Sequence, residues 1–322
     1  MRAIRVEQFG GPEVLRIAQV DDPQPAAGEV VVRLHAAGVN PVEAYIRTGQ
    51  YARLPQLPYT PGGDGAGLVE SVGDGVTGVA VGDRVYVAAF LGKTGTYAER
   101  IACNARTVHP LPAGVTFGQG AALGVPAATA YRALVLRADV KAGETVLVHG
   151  ASGAVGIAAV QLARGLGLRV FGTAGSAAGA AAVRDAGAHA VFDHARDGYA
   201  TNITEAAGTG GINVILEMLA NVNLDRDLQL LAPKGRVVVI GNRGRVEIDP
   251  RLTMGKETAV MGTTLWSTTP DEYTQIHAAL VAALESGVLR PVVGRELPLD
   301  EAAEAHRAIL ADRAIGKIVL TM

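Results

Sequence analysis

The stretch ETVLVHGASGAVGIAAVQLA, Glu144 to Ala163, constrains the fold more than any other part of the chain. The apolar run TVLVHG meets a turn of small residues and passes at once into a pattern in which Val155, Ala159, Leu162 and Leu166 share one helical face. Further strand-like runs follow at RVFGT, AVFDH, NVILEML, RVVVIGN and TAVMGTTL, most of them separated by helical patterns. Strands alternating with helices specify an α/β unit with a parallel, doubly wound sheet.

The rest of the chain has a different texture. Up to about Pro112 it reads as short strands broken by glycine and proline, among them EVVVRLHAAGV, GLVESVGDGV, GDRVYVAAF and TYAERIACN, which is the pattern of a mostly β unit. From Phe117 an alanine-rich helical stretch runs to about Val135, and AAGAAAV at Ala177 to Val183 is alanine bias on a helix rather than a linker. After Pro270 come a helix, an extended stretch near RPVVGREL, a helix from Asp300 and a last strand, GKIVLTM, expected to return at least partly to the first unit. A length of 322 residues suits two domains, each with its own core.

Composition narrows the partners. A net charge of −2 leaves no electrostatic footprint for nucleic acid or an anionic membrane, so small molecules are expected. Cys103, the single cysteine, excludes an intrachain disulfide and a cysteine-rich zinc site. The start, MRAIRVEQFGGPEV, carries charges where a signal peptide needs an apolar run, and no stretch has membrane-spanning length. Cytoplasm is the expected location.

Aligned on its last glycine, the turn Ala151-Ser152-Gly153-Ala154-Val155-Gly156 fits G-x-G-x-x-G with alanine in the first place. Gly153 would let a pyrophosphate approach the backbone, Gly156 would let helix and strand pack closely, and the helix N-terminus offers amide donors. The turn lies on the first strand of the alternating region, where a doubly wound fold opens its ligand crevice. Gly172 to Ser176, Asp193 and His194, Glu217 to Asn223, and Ile240 to Arg243, at the ends of later strands, are expected to rim the same crevice.

An NAD site normally places a carboxylate roughly 20 residues beyond the glycines to accept from the ribose hydroxyls. Here that place reads Thr173-Ala174-Gly175-Ser176, with no carboxylate before Asp185, which favours NADP. No Lys or Arg lies between Val170 and Val183, so Arg184, His194, Arg196 and Tyr199 are the candidates for the second phosphate.

Other chemistries are excluded. None of the eight tyrosines has a lysine four residues later, which removes the Tyr-x-x-x-Lys pair of short-chain reductases. No two histidines have metal-ligand spacing and H-E-x-x-H is absent, so no metal is expected. Ile157 and Ala158 stand where a P-loop needs lysine and a hydroxyl, and Ser152 lacks the flanking glycines of a nucleophile elbow.

The segments MRAIRVEQFGGPEVL, GVNPVEAYIRTGQY, LPYTPGGDGAG, GDRV, VLVHGASGAVG, GTAGS, ILEMLANVNL, GRVVVIGNRG and GKIVL, spread over nearly the whole length, carry a resemblance. The chain resembles the zinc-free quinone oxidoreductases of the medium-chain dehydrogenase/reductase superfamily, the zeta-crystallin group in particular. The resemblance implies a GroES-like, mostly β catalytic domain from residues 1–120 and 266–322, an inserted Rossmann domain over 121–265, NADPH as cofactor, and a homodimer or homotetramer. Carried over by position, Tyr45, Ser152, Gly153, Ala154, Val155, Gly175, His194, Asn223, Ile240, Gly241, Asn242, Arg243, Thr263, Thr264 and Leu265 would contact the cofactor, and Ser176, at the end of the second strand, is expected beside them. Asn40, Tyr45 and Tyr51 would face the nicotinamide and substrate. Zinc-dependent relatives place a cysteine near the position of Asn40 and Gly-His-Glu where this chain has Gly62-Gly63-Asp64, so both ligand types are gone. Several relatives also carry a lysine just after GTAG, where this chain has only alanine and glycine from Ala177 to Ala182.

Neither Asn40 nor Tyr45 is a strong acid or base. Hydride transfer to a simple ketone builds an alkoxide that needs a metal or good acid, whereas a quinone spreads the incoming charge over its ring and second oxygen. The expected activity is therefore NADPH-dependent quinone reduction. Its competitors are an alkenal or enone double-bond reductase acting on conjugated carbonyls, and an NADPH-binding structural or regulatory protein.

Overall fold

The computed structural model describes residues 1–90, 94–311 and 315–322. The chain divides into two units, Met1–Val125 with Pro291–Met322, and Pro126–Arg290.

The chain begins with an antiparallel pair, β1 (Arg2–Arg5) and β2 (Arg16–Gln19). The long β3 (Glu29–Val39) runs into α1 (Pro41–Arg47), followed by β4 (Asp64–Val72), β5 (Arg84–Ala88), β6 (Arg100–Asn104) and β7 (Val108–Pro110). Two helices, α2 (Phe117–Gly120) and α3 (Gly124–Tyr131), precede the alternating region. That region supplies β8 (Thr145–Val148), α4 (Ala154–Gly165), β9 (Arg169–Ala174), α5 (Ala177–Asp185), β10 (Ala190–Asp193), α6 (Tyr199–Ala207) and β11 (Ile212–Glu217). It continues with α7 (Ala220–Leu230), β12 (Leu231–Val239), α8 (Arg251–Met254), β13 (Ala259–Gly262) and α9 (Pro270–Glu285). The tail is β14 (Val293–Pro298), α10 (Ala302–Ala308) and β15 (Lys317–Thr321).

In the first unit the strands run β14-β15-β3-β4-β5-β7, with β6 also paired to β3. Register matters here. Ile318 lies opposite Val39, and Asp64 lies opposite Gly38, so the start of β15, the end of β3 and the start of β4 converge. Gly38 permits this closeness, because a Cβ there would stand 2.0 Å from the Ala121 carbonyl oxygen and 2.6 Å from Lys317 Cε. Alternating inward residues of β3, Val30, Val32 and Leu34, pack with Val69, Val85 and Val87.

The second unit holds a parallel sheet in the order β10-β9-β8-β11-β12-β13. The order reverses between β8 and β11, which is the switch point where such sheets bind ligands beyond their carboxyl ends. Val146, Leu147 and Val148 are fully buried, each side chain contributing about 1.5–3 kcal/mol by leaving water. Gly156 brings α4 against the strand end, since a Cβ there would be 2.5 Å from Ala151 Cα.

This unit runs from Pro126 to Arg290, past the residue 265 at which the resemblance implies its end. Two side chains explain the extension. Arg132 donates to Thr263 Oγ1 at 2.9 Å and to Glu272 Oε2 at 3.2 Å, which ties α9 to the sheet unit. Gln161 exchanges two 2.9 Å hydrogen bonds with the backbone of Arg290. Among the described residues no helix is long and apolar enough to cross a membrane.

Candidate active site

The convergence of β3, β4 and β15 builds a buried polar network around Asn40. Asn40 precedes α1 in extended conformation, and Pro41 at the first helical position fixes where the helix starts. Its amide is fully used: Nδ2 donates to Glu43 Oε1 at 3.1 Å and Asp64 Oδ2 at 3.0 Å, while Oδ1 accepts from Lys317 Nζ at 2.5 Å. Lys317 Nζ also donates to Asp64 Oδ2 at 2.8 Å, and Asp64 Oδ1 accepts from Val125 N at 2.7 Å. Asn40, Glu43, Asp64 and Lys317 are all buried.

Glu43 extends the network. Its carboxyl accepts from the backbone of Asn40 at 2.8 Å, from Gly63 N at 2.9 Å and from Tyr97 Oη at 2.7 Å. Burial pushes Glu43 above its ordinary range, opposed by the Lys317 charge, and burial together with Glu43 holds the Tyr97 phenol well above its usual value. His306 Nε2 lies 3.1 Å from Tyr97 Oη, and burial pushes the imidazole down to about 3, so it is neutral and donates to that oxygen. Asn40 therefore has no hydrogen left for a substrate carbonyl. Its part is to fix the start of α1, which carries half-buried Tyr45; Tyr51 follows in the next loop, also half-buried.

In the second unit the parallel strands bring most of the predicted cofactor residues to one end of the sheet. Ser152 is buried in the turn, and Gly153, Ala154 and Val155 begin α4. At Gly153 a Cβ would meet only the Gly150 carbonyl oxygen, at 3.6 Å, so the approach to the helix N-terminus is open. Ser176 caps α5 by accepting from Gly179 N at 3.1 Å. A Cβ on Gly175 would stand 2.7 Å from Nε2 of the exposed His194, so the imidazole rests over that glycine. Asn223 donates to Glu217 Oε1 at 3.2 Å. Ile240 and Gly241 hang from the Glu217 carbonyl oxygen, followed by exposed Asn242 and by Arg243, whose backbone donates to Asn221 Oδ1 at 2.9 Å. Thr263 bonds Val239 and Arg132, and Thr264 caps the short turn that contains Leu265. These positions present small side chains and backbone amides beyond the strands, which fits a dinucleotide.

Tyr199 is placed elsewhere. It is buried in the core with Ile203, Leu224 and Leu228, and its hydroxyl accepts from Arg226 at 2.5 Å. Arg196 pairs with Asp193 at 3.3 Å.

The structure also assembles a group that no sequence spacing announces. One ligand atom each from His149, Glu217 and Asp227 lie within 4.8 Å of one another, all three side chains being buried.

Comparison with known proteins gives the arrangement its family. Residues 154–282 match the profile described as a zinc-binding dehydrogenase, and residues 26–113 match that of an alcohol dehydrogenase GroES-like domain. Human quinone oxidoreductase is 51% identical over 324 residues, spanning 100% of this chain and 98% of the human one. The chain belongs to the zeta-crystallin-like quinone oxidoreductases. Within this medium-chain dehydrogenase/reductase family, its first unit is the GroES-like domain and its second carries the Rossmann-type sheet. A quinone oxidoreductase from Escherichia coli, solved in complex with NADPH, shares 30% identity and a TM-score of 0.89 over the whole of both chains. A structure described as an NAD-dependent alcohol dehydrogenase reaches a TM-score of 0.93 at 29% identity, again over both full chains. The fold thus occurs in proteins described with either cofactor.

Proposed function

We propose that this chain reduces quinones with NADPH and needs no metal to do so. The supporting observation is the Asn40 network, seen in a chain that matches human quinone oxidoreductase throughout its length. Around Asn40, where zinc-dependent relatives hold their ion, the cation is the Lys317 ammonium, already bonded to Asp64 and Asn40. A site whose amide donor is already spent, with an ammonium at the place where zinc-dependent relatives hold their ion, suits an acceptor that stabilises incoming charge itself.

NADPH supplies the reducing equivalents from its nicotinamide when bound. The turn from Gly150 to Val155 and the N-terminus of α4 would hold the pyrophosphate, with Asn223, Ile240 to Arg243 and Thr263 to Leu265 along the rest of the cofactor. Gly175, Ser176 and His194 would take the adenosine ribose and its 2′-phosphate. Tyr45 and Tyr51, on the substrate side, orient the acceptor and exclude water from it. Asn40 holds the base of α1 rigid. The enzyme works by positioning.

The oligomer is a homodimer or homotetramer built through β13. This strand ends the parallel sheet, and Val260 at its centre is 43% exposed, an edge that pairing with a second copy would cover. The activity is tested by following NADPH oxidation against a panel of quinones, short enones and simple ketones. Quinones are expected to give the highest kcat/KM, and a preference for enones would reassign the substrate.

A further inference from the structure

His149 follows β8, Glu217 ends β11, and Asp227 lies on α7, with exposures of 3%, 0% and 0%. His149 Nε2 stands 2.8 Å from Asp227 Oδ1 and 3.6 Å from Glu217 Oε2. Two donors on one tetrahedral zinc ion, each about 2.0–2.2 Å from it, are separated by about 3.3 Å or more, so the shorter contact is a hydrogen bond carrying a proton. Burial holds the imidazole below its ordinary range, which makes it neutral, with Nε2–H donating to Asp227. Nδ1 is then an acceptor facing Thr173 Oγ1 at 3.4 Å, and that oxygen accepts from Gly150 N at 3.1 Å.

The carboxyl of Glu217 is divided between two tasks. Oε1 accepts from Leu219 N and Asn223 Nδ2, while its backbone carbonyl accepts from Ile240 N at 2.8 Å and Gly241 N at 3.2 Å. Oε2 of Glu217 and Oδ2 of Asp227 are buried and receive no donor from the protein. The two carboxyl groups have an oxygen each within 4.8 Å of one another, and a proton held between them would supply the donor both lack. Burial pushes each acid up to about 7, with the neighbouring carboxyl adding to the rise at Glu217. Two groups bring positive charge to bear: His149 itself, which in its charged form draws Glu217 down, and Arg226 of α7, whose guanidinium is bonded to the Tyr199 hydroxyl of α6; β9 contributes the uncharged Thr173.

We propose that His149, Glu217 and Asp227 form a proton-sharing triad that positions the cofactor site, locking the Gly150 turn, the start of α7 and the Ile240–Gly241 stretch in the arrangement that binds NADPH. The inference rests on assigning NADPH to the second unit. Loss of the shared proton leaves two carboxylates in one dry pocket, and the segments they anchor separate. NADPH affinity therefore falls as the pH rises above neutrality.

The test compares wild-type protein with Asp227→Asn, in which an amide hydrogen can replace the shared proton at every pH while the amide oxygen still accepts from His149. NADPH dissociation constants are measured by fluorescence titration from pH 6 to pH 9, and the ratio of wild type to variant cancels the titration of the ligand's own phosphate. The ratio should rise about tenfold over this range, one proton being worth up to a factor of ten per pH unit. In turnover the change should appear in KM for NADPH and leave kcat flat. Infrared difference spectra of wild type against Asp227→Asn, and against Glu217→Gln as a second comparison, should show at pH 6.5 a protonated carboxyl that ordinary side chains have lost. A ratio constant within twofold, absence of the acid band, or a stoichiometric metal lost in either variant would overturn the proposal. Wild-type protein that binds no NADPH at any pH would instead refute the cofactor assignment, and the infrared band would still judge the triad.

Discussion

Lys317 Nζ lies 2.8 Å from Asp64 Oδ2, and the two side chains are 1% and 0% exposed. The pair joins the last strand of the chain to the start of β4. Asn40 bridges both members, so the ion pair holds the entry to the helix that carries Tyr45.

Replacing Lys317 by Met should leave the Asp64 carboxylate buried without its counter-ion and the Asn40 carbonyl oxygen without its donor. Breaking a buried pair from one side costs about 3–5 kcal/mol. Chemical unfolding should show that loss together with reduced kcat/KM for quinone. A loss below about 1 kcal/mol would mean that the pair is solvated in solution.

His306 gives the acid side of the stability profile. Its folded-state value of about 3 lies below the 6.5 of a free imidazole, so between these limits the unfolded chain binds more protons and stability falls as the pH falls. His306→Gln keeps a donor toward Tyr97 but does not titrate. Its unfolding free energy should lose less on going from pH 6.5 to pH 4, by up to about 1.4 kcal/mol per pH unit. Identical slopes for the two proteins, measured in urea, would show that His306 is charged in the fold.

The strand, glycine turn and helix at Glu144 to Ala163 were legible because their signal, an apolar run, small turn residues and one helical face, lies within twenty consecutive residues. The Asn40 network was not. Lys317 is 277 residues from Asn40 and 253 from Asp64, and only the pairing register of β15, β3 and β4 brings them together. His149 and Asp227, 78 residues apart, were hidden for the same reason. Tyr199 did carry a local signal, since it stands four residues before Ile203 on one helical face and both are buried. The sequence makes it a candidate for the second phosphate, but helix periodicity turns it into the core.

Ser176→Asp should move cofactor preference toward NADH. Ser176 caps α5, and Asp caps a helix about as well, so the fold should survive while a carboxylate arrives beside the ribose. Wild type should favour NADPH by roughly one to two orders of magnitude in kcat/KM, because one exposed charged contact is worth only about 1 kcal/mol. An unchanged preference in the variant would place the adenosine ribose elsewhere.

Val260→Glu should weaken self-association. In a two-fold pairing of β13 the new carboxylates face each other or near neighbours, and like charges across a strand pair are destabilising. Sedimentation should show a dimer dissociation constant raised at least about tenfold. An unaltered oligomer would move the interface away from this edge.

Metal-independent quinone reduction is tested most directly by turnover in strong chelator. NADPH oxidation by a quinone, with metal content measured on the same sample, should proceed at an undiminished kcat/KM, and NADH should serve less well. Turnover that disappears with a stoichiometric metal, or oxidation of NADPH by simple ketones in preference to quinones, would contradict it.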